Sequence, residues 1–305
     1  MTSYKEVDDL FVSKHKSKIN LLIVTATATE KETLHKYLKP IPGYSDILKI
    51  QVGKHTYFVG QFGAFYAVHV ACNEMGSTGR SSSIVTTSDA INTWSPSVVL
   101  MVGIAFGKDE TKQEIGDVLV SERIIPYEPK RLGKDETISR AKEGPASSLL
   151  FDRFKSVTGW DFKQEERAPE IIYGGILSGE KLVDDPAFKA ELFKDHPEAI
   201  GGEMEGAGIY AACDQKVNDW ILVKGICDWG ENKDNPDKKK HQVLAIESAV
   251  DLCAFVFNSP FGFKDVSLVA QDEVLKTDFS EDRGAIPEWM FKKEKSLAKE
   301  IRNED

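Results

Sequence analysis

Two long apolar runs in this chain do not alternate with polar residues, and that narrows the possible folds more than any other feature. Ile19 to Val24, and SVVLMVGIAFG after Pro96, are apolar at almost every position. A strand with one wet face alternates, so these runs read as strands buried on both faces. A third apolar run, in DWILVKGICDWG, ends abruptly on Asp228 beside Trp229. Between such runs lie helical patterns, with crossovers too long for hairpins, so the chain reads as one α/β domain.

Taken in order, the first run passes through TATATEKE into a helix, with Glu30 at the turn. Asp46 to Gln51 and His55 to Phe62 read as a hairpin across Val52, Gly53 and Lys54. A strand to about Cys72, the loop NEMGSTGR and an amphipathic helix ending near Trp94 follow. In that loop Gly76, Gly79 and Ser81 to Ser83 put backbone amides at a helix N-terminus, which suits either an anion or an ordinary cap. EIGDVLVSERIIPYE is a further strand, and 128–146, carrying Lys130, Arg131, Lys134, Arg140 and Lys142, reads as a charged surface loop. SSLLFDRFKSV is a helix, Ile171 to Ile176 a strand, and SGEKLVDD a turn into the helix DPAFKAELFKD; KKKHQVLAIESAVDLCAFVFN is the last helix of the domain. The expected boundaries are a polar extension over 1–18, whose Leu10, Phe11 and Val12 could dock on a neighbour, a domain over 19–259, and an appendage over 260–305 with a terminal helix and no core of its own.

Composition excludes several functions. With 39 basic and 49 acidic side chains the formal charge is -10, which leaves no excess of cations for a nucleic-acid backbone. The four cysteines form no C-x-x-C pair and no metal-type spacing with the six histidines. They are expected to be reduced thiols of a cytoplasmic protein, with no bound zinc, no other metal and no cofactor. No stretch has the length of a membrane span, and the N-terminus lacks the apolar run of a signal peptide.

The chemistry concentrates in three carboxylates. Glu30 follows the first buried strand, Glu205 with its neighbour Glu203 opens a small-residue helix, and Asp228 closes the last strand. Strand exits are where open α/β sheets keep their ligands. Each residue also has a plain structural reading: Glu205 complements a helix dipole, Asp228 caps a turn, Glu30 sits on a helix surface and Met204 belongs to the core.

Four stretches in order decide between these readings: IVTATATE with Glu30, VLMVGIAFG followed by IGDVLVS, the SGEKLVDD turn, and GGEMEGAG with VKGICDWGENK. From about Ile19 to Phe257 the chain resembles the nucleoside phosphorylase and nucleosidase superfamily, and within it the methylthioadenosine/S-adenosylhomocysteine nucleosidases. The resemblance implies a three-layer αβα domain with a central mixed, partly barrel-like sheet, assembled as a homodimer or higher oligomer. It implies cleavage of the N-glycosidic bond of a purine nucleoside or nucleotide. In that reading Asp228 protonates or hydrogen-bonds purine N7, Glu30 positions the attacking water, and Glu205 binds the ribose hydroxyls with Met204 under the sugar. Leu182 and Val183 then meet the base, with Ala105 and Phe106. Phe106 stands where nucleosidases have a small residue, Lys224 where a basic residue is common, and Cys227 replaces a hydroxyl residue before the acid.

The chemistry supports those residue types independently, because a departing purine needs a proton donor and a cation-like sugar needs negative charge nearby. TATATEKE offers no Gly or Arg to hold phosphate and presents a carboxylate instead, so hydrolysis is expected over phosphorolysis. Arg80, Arg131, Arg140 and Lys181 are candidates for a 5′-phosphate or triphosphate, which makes AMP to ATP possible substrates. The alternatives are a purine nucleoside phosphorylase and a non-catalytic nucleotide-sensing module.

Overall fold

The computed structural model describes residues 2–270 apart from 133–136, 140–141, 165–166, 217 and 232–233. The chain divides into Met1–Ala270 and Gln271–Asp305, so the expected terminal helix lies outside the described residues.

The elements, in chain order, are β1 (Tyr4–Val7), α1 (Leu10–His15), β2 (Leu21–Thr25), α2 (Ala28–Tyr37), β3 (Ile47–Val52), β4 (His55–Phe62), β5 (Phe65–Ala71), α3 (Ser83–Trp94), β6 (Val98–Gly107) and β7 (Val118–Pro126). There follow β8 (Lys130–Leu132), β9 (Thr137–Ser139), β10 (Gly144–Pro145), α4 (Ser148–Lys155), β11 (Ile171–Ser178), α5 (Pro186–Asp195), β12 (Ala199–Glu203), α6 (Gly206–Asp214), β13 (Asp219–Asp228) and α7 (Lys238–Val256). The non-alternating runs are the central strands: Leu21, Leu22, Ile23 and Val24 have no exposed surface, nor do Val98 to Val102. Each such side chain contributes roughly 1.5–3 kcal/mol when buried.

The main sheet runs β1-β3-β4-β5-β2-β6-β12-β11-β7-β10, and β13 pairs with both β6 and β7. β13 thus closes β6, β12, β11, β7 and itself into a ring, which is the barrel-like core within a mixed sheet. β6 is the hinge of the design, since it pairs in parallel with β2 and β13 and antiparallel with β12. α2 packs with α7 and α3 packs with α6, giving helical layers on the sheet. α7 lies so close to β13 that a Cβ at Gly225 would overlap the Ala245 carbonyl.

The structure differs from the expected organisation in three places. Residues 1–18 are more than an extension, because β1 adds a parallel edge strand to β3, from Tyr4 opposite Ile47 to Val7 opposite Ile50. Its YKEV side chains are mostly exposed, so backbone pairing places it together with the few side-chain bonds that Tyr4 and Glu6 make. Of the three residues expected to dock, Phe11 and Val12 are buried but Leu10 is 59% exposed. At the other end the core continues past 259, with Phe263, Val266, Leu268 and Ala270 buried. The charged stretch 128–146 also carries short strands, β8 with β9 and β10 on the edge of β7.

A chain of hydrogen bonds joins β1 to the interior. Tyr4 Oη lies 2.7 Å from His35 Nδ1, His35 Nε2 lies 2.9 Å from His69 Nδ1, and His69 Nε2 lies 3.0 Å from Thr25 Oγ1. Burial, aided by Lys31, pushes His35 down to about 4. Burial pushes His69 well below the usual histidine range, with His35 and Lys31 adding to it.

Candidate active site

Glu30 is fixed by the start of α2. Thr27 caps the helix, and the Glu30 side chain turns back to complete a capping box. Its Oε2 accepts from the Ala26 and Thr27 amides at 2.7 and 2.8 Å, and Oε1 accepts from Ile104 N at 3.0 Å. Glu30 is therefore a buried bridge between β2 and β6 rather than a surface helix residue.

Lys224 comes from the middle of β13, where the ring of strands buries it completely. Its Nζ lies 3.2 Å from Glu203 Oε2 and 3.3 Å from Glu205 Oε2. Gly103 on the paired strand allows this packing, since a Cβ there would come 2.7 Å from Glu30 Oε1 and 3.0 Å from Lys224 Nζ. One lysine thus faces three carboxylates. Burial alone would lower its pKa, but Glu203, Glu205 and Glu30 overcome that and hold it above the ordinary value. Glu205 shifts upward as well: burial raises it, Lys224 and the Gly76 amide oppose, and Glu203 and Glu30 add to the rise. Cys72 beside them is pushed up to about 12 by burial and by the charges of Glu205 and Glu30, so it is a packing thiol.

The paired glutamates divide their work. Glu203 accepts from Glu205 N and Gly206 N, each at 2.9 Å, and so satisfies the open amides of α6. Glu205 Oε1 accepts from Gly76 N at 3.0 Å, and its carbonyl accepts from Ser83 Oγ at 2.7 Å. Each Glu205 oxygen keeps a lone pair for a further donor. Met204 between them is half-buried.

Asp228 ends the same strand four residues beyond Lys224, after a register shift against β6. Its Oδ1 accepts from Gly230 N at 2.8 Å, and the Cys227 thiol donates to Oδ2 at 3.2 Å. The replacement of a hydroxyl by a thiol at 227 therefore keeps a donor on the acid. Asp228 borders a cavity of about 240 Å³, lined also by Ile115, Trp229, Lys238 and His241.

The base candidates come together in part. A Cβ at Gly230 would lie 3.2 Å from Val183 and 3.4 Å from Phe106, so both side chains meet beside Asp228. Phe106 also packs edge-on against Phe193, with ring centroids 6.3 Å apart, and Ala105 is buried opposite Ile226. Leu182 is 58% exposed. The 5′ candidates do not gather. Lys181 is held by Glu128 at 2.7 Å, Arg80 and Arg131 are exposed on separate elements, and Arg140 lies outside the described residues. The loop amides expected to be open are taken by the chain's own carboxylates, Ser77 N by Glu180 at 2.9 Å and Ser81 N by Glu74 at 3.1 Å.

Lys224 and Glu203 join the candidate site through these ion pairs, although the sequence offers Glu203 only as the neighbour of Glu205 and Lys224 only as a basic residue common at that place, with no role for either. The available signal was a lysine within ILVKGIC, which no buried strand tolerates without carboxylate partners. Among the described residues no group of three or more His, Cys, Asp or Glu side chains could hold a metal ion, and no helix is long and apolar enough to cross a membrane.

The profile of the phosphorylase superfamily matches residues 20–256. The chain belongs to the phosphorylase superfamily. Among superfamily relatives, a death domain-containing ATP nucleosidase of Amphimedon queenslandica is 29% identical over 236 residues, covering 70% of this chain and 44% of that protein. ATP nucleosidase Cap17 of Escherichia coli is 27% identical over 202 residues, covering 57% and 38%. The chain thus spans less than half the length of these two relatives. In fold it is similar to the S-adenosylhomocysteine nucleosidase of Streptococcus pyogenes, solved with 5-methylthiotubericidin. That match has a TM-score of 0.65 and 18% identity, over 79% of this chain and 97% of that one.

Proposed function

We propose that the protein hydrolyses the N-glycosidic bond of an adenine nucleoside or nucleotide, releasing free base and a ribose derivative. The observation that carries this reading is the buried Glu30–Lys224–Glu205 cluster with Asp228 at the exit of the same strand. Asp228 gives its proton to purine N7 as the C1′–N9 bond breaks and its electrons pass to the base. Glu205 accepts from the ribose hydroxyls and, with Glu30, places negative charge near the cation-like sugar. Water held by Glu30 adds at C1′ and loses its proton to that carboxylate. Lys224 keeps Glu205 in place. Phe106 and Val183 pack on the base.

Water rather than phosphate is favoured by the start of α2. The Ala26 and Thr27 amides, which could cradle an incoming phosphate, already bind Glu30. The names of the two relatives support a nucleotide of the AMP to ATP series as substrate. The same reading takes the protein as a homodimer or larger assembly, to be checked by light scattering in solution.

Incubation with ATP, AMP, methylthioadenosine and inosine, followed by chromatography of the free base, tests the proposal. Adenine from AMP or ATP is expected. Intact ATP together with adenine from methylthioadenosine would contradict the phosphorylated substrate, and no base from any of the four would contradict hydrolysis.

A further inference from the structure

The loop between β5 and α3 meets Glu205 through the Gly76 amide, and three of its donors, on Ser77 and Thr78, are gathered on one other carboxylate, Glu180. Ser77 N donates to Glu180 Oε1 at 2.9 Å, Ser77 Oγ donates to the same oxygen, and Thr78 Oγ1 donates to Oε2 at 3.1 Å. We propose that Ser77 and Thr78 form a subsite for the 5′-phosphoryl group of the substrate, and that Glu180 is its internal competitor, displaced when the nucleotide binds. The inference rests on the proposed function and names the part of the site that would select a phosphorylated substrate.

Chemistry and position both support it. Three neutral donors converging on an oxyanion suit a phosphoryl oxygen as well as a carboxylate. The residue before Ser77 donates to Glu205 Oε1 at 3.0 Å, so the cradle adjoins the group assigned to the ribose hydroxyls. In a ribose, C5′ is two bonds from the carbon carrying O3′, which places a 5′ substituent on the ribose-binding side of the pocket. Gly76 has φ +88, and a Cβ there would come 2.5 Å from Glu180 Oε2. Only glycine lets the loop lie so near that carboxylate. Arg80, exposed on the same loop, adds a cation within the segment.

Glu180 is not needed to hold the loop. Ser83 N donates to the Gly76 carbonyl at 3.1 Å, Ser82 Oγ to the Ser77 carbonyl at 2.9 Å, and Ser81 N to Glu74 at 3.1 Å. A half-buried carboxylate that comes within reach of Glu205 through one loop, and that the loop can spare, acts by its charge. It repels a phosphate and occupies the phosphate's donors.

Calorimetric titration of AMP and of adenosine tests this, with every variant made in an Asp228→Asn background to stop turnover. Glu180→Gln is expected to tighten AMP relative to adenosine by about tenfold, and the double change Ser77→Ala with Thr78→Val to weaken AMP relative to adenosine by about tenfold. Thr78→Val alone, at an exposed position, supplies a milder form of the second change and should act in the same direction. A loop brace would affect both ligands alike. An AMP to adenosine ratio that is unchanged, or that moves the same way in Glu180→Gln and Thr78→Val, overturns the subsite. A protein that binds neither ligand contradicts the proposed function itself and takes the subsite with it.

Discussion

Lys224 has no exposed surface and sits among Glu203, Glu205 and Glu30, so its charge and theirs are mutually dependent. Lys224→Met would leave buried carboxylates without their cation, at a cost of roughly 3–5 kcal/mol in unfolding free energy by denaturant titration. It would also remove the influence that lowers Glu205, so the acidic limb of the pH–rate profile should move to higher pH. Lys224→Arg restores the charge and should return the limb towards its original place; a limb that ignores both substitutions would show that Glu205 does not govern it. Among single residues the sequence marked Glu30, Glu205 and Asp228 as carboxylates at the ends of elements, and the structure puts them at the start of α2, the start of α6 and the end of β13. The sequence was silent where function comes from packing across strands. Nothing in the order of residues says that Gly103 and Lys224 face the same point, or that Glu180 returns to Ser77, because those contacts depend on register and on turns between distant segments.

The central strands were legible as elements because burial on both faces leaves an unmistakable composition. β12, AIGGE, was not, since two glycines and a glutamate erase any strand pattern and the ring of partners alone makes it one. β1 was hidden for the opposite reason: its polar side chains face solvent while its backbone pairs with β3. Its anchor is the bond between Tyr4 and His35, so Tyr4→Phe should cost about 1–3 kcal/mol by leaving an imidazole nitrogen without its partner, measurable by thermal unfolding. An unchanged transition would mean that backbone pairing alone holds the edge strand. At the opposite layer Gly225→Ala would force β13 and α7 apart, costing about 3 kcal/mol or more, because the obstructing atoms are the Ala245 backbone. Since β13 carries both Lys224 and Asp228, base release should fall with stability in that variant.

For the whole molecule the buried groups define a pH range of stability. His35 and His69 have folded pKa values below the ordinary 6.5, so the folded state binds fewer protons than the unfolded one. Their contribution is complete above 6.5 and is lost as pH falls towards about 4. Lys224 is shifted upward, so its contribution is complete below the ordinary 10.5 and is lost as pH rises through its higher folded value. Chemical denaturation across pH should therefore show a plateau bounded on both sides, and a His69→Gln change should flatten the acidic flank. The fold as a whole follows from a few strongly marked strands, with β13 closing the ring and so bringing the first and last strands of the sequence motif onto β6. In the proposed reading that closure turns three carboxylates, scattered over some 200 positions, into one site. In the proposed reaction water, with Asp228 as proton donor, cleaves the base from the sugar. The direct measurement is adenine release from AMP and ATP in phosphate-free buffer, with and without added phosphate, by the wild-type protein and by Asp228→Asn. Release that needs no phosphate and falls by about 10²–10⁴ in the variant is expected; release that requires phosphate, or that survives Asp228→Asn unchanged, would rule out hydrolysis with Asp228 as the proton donor.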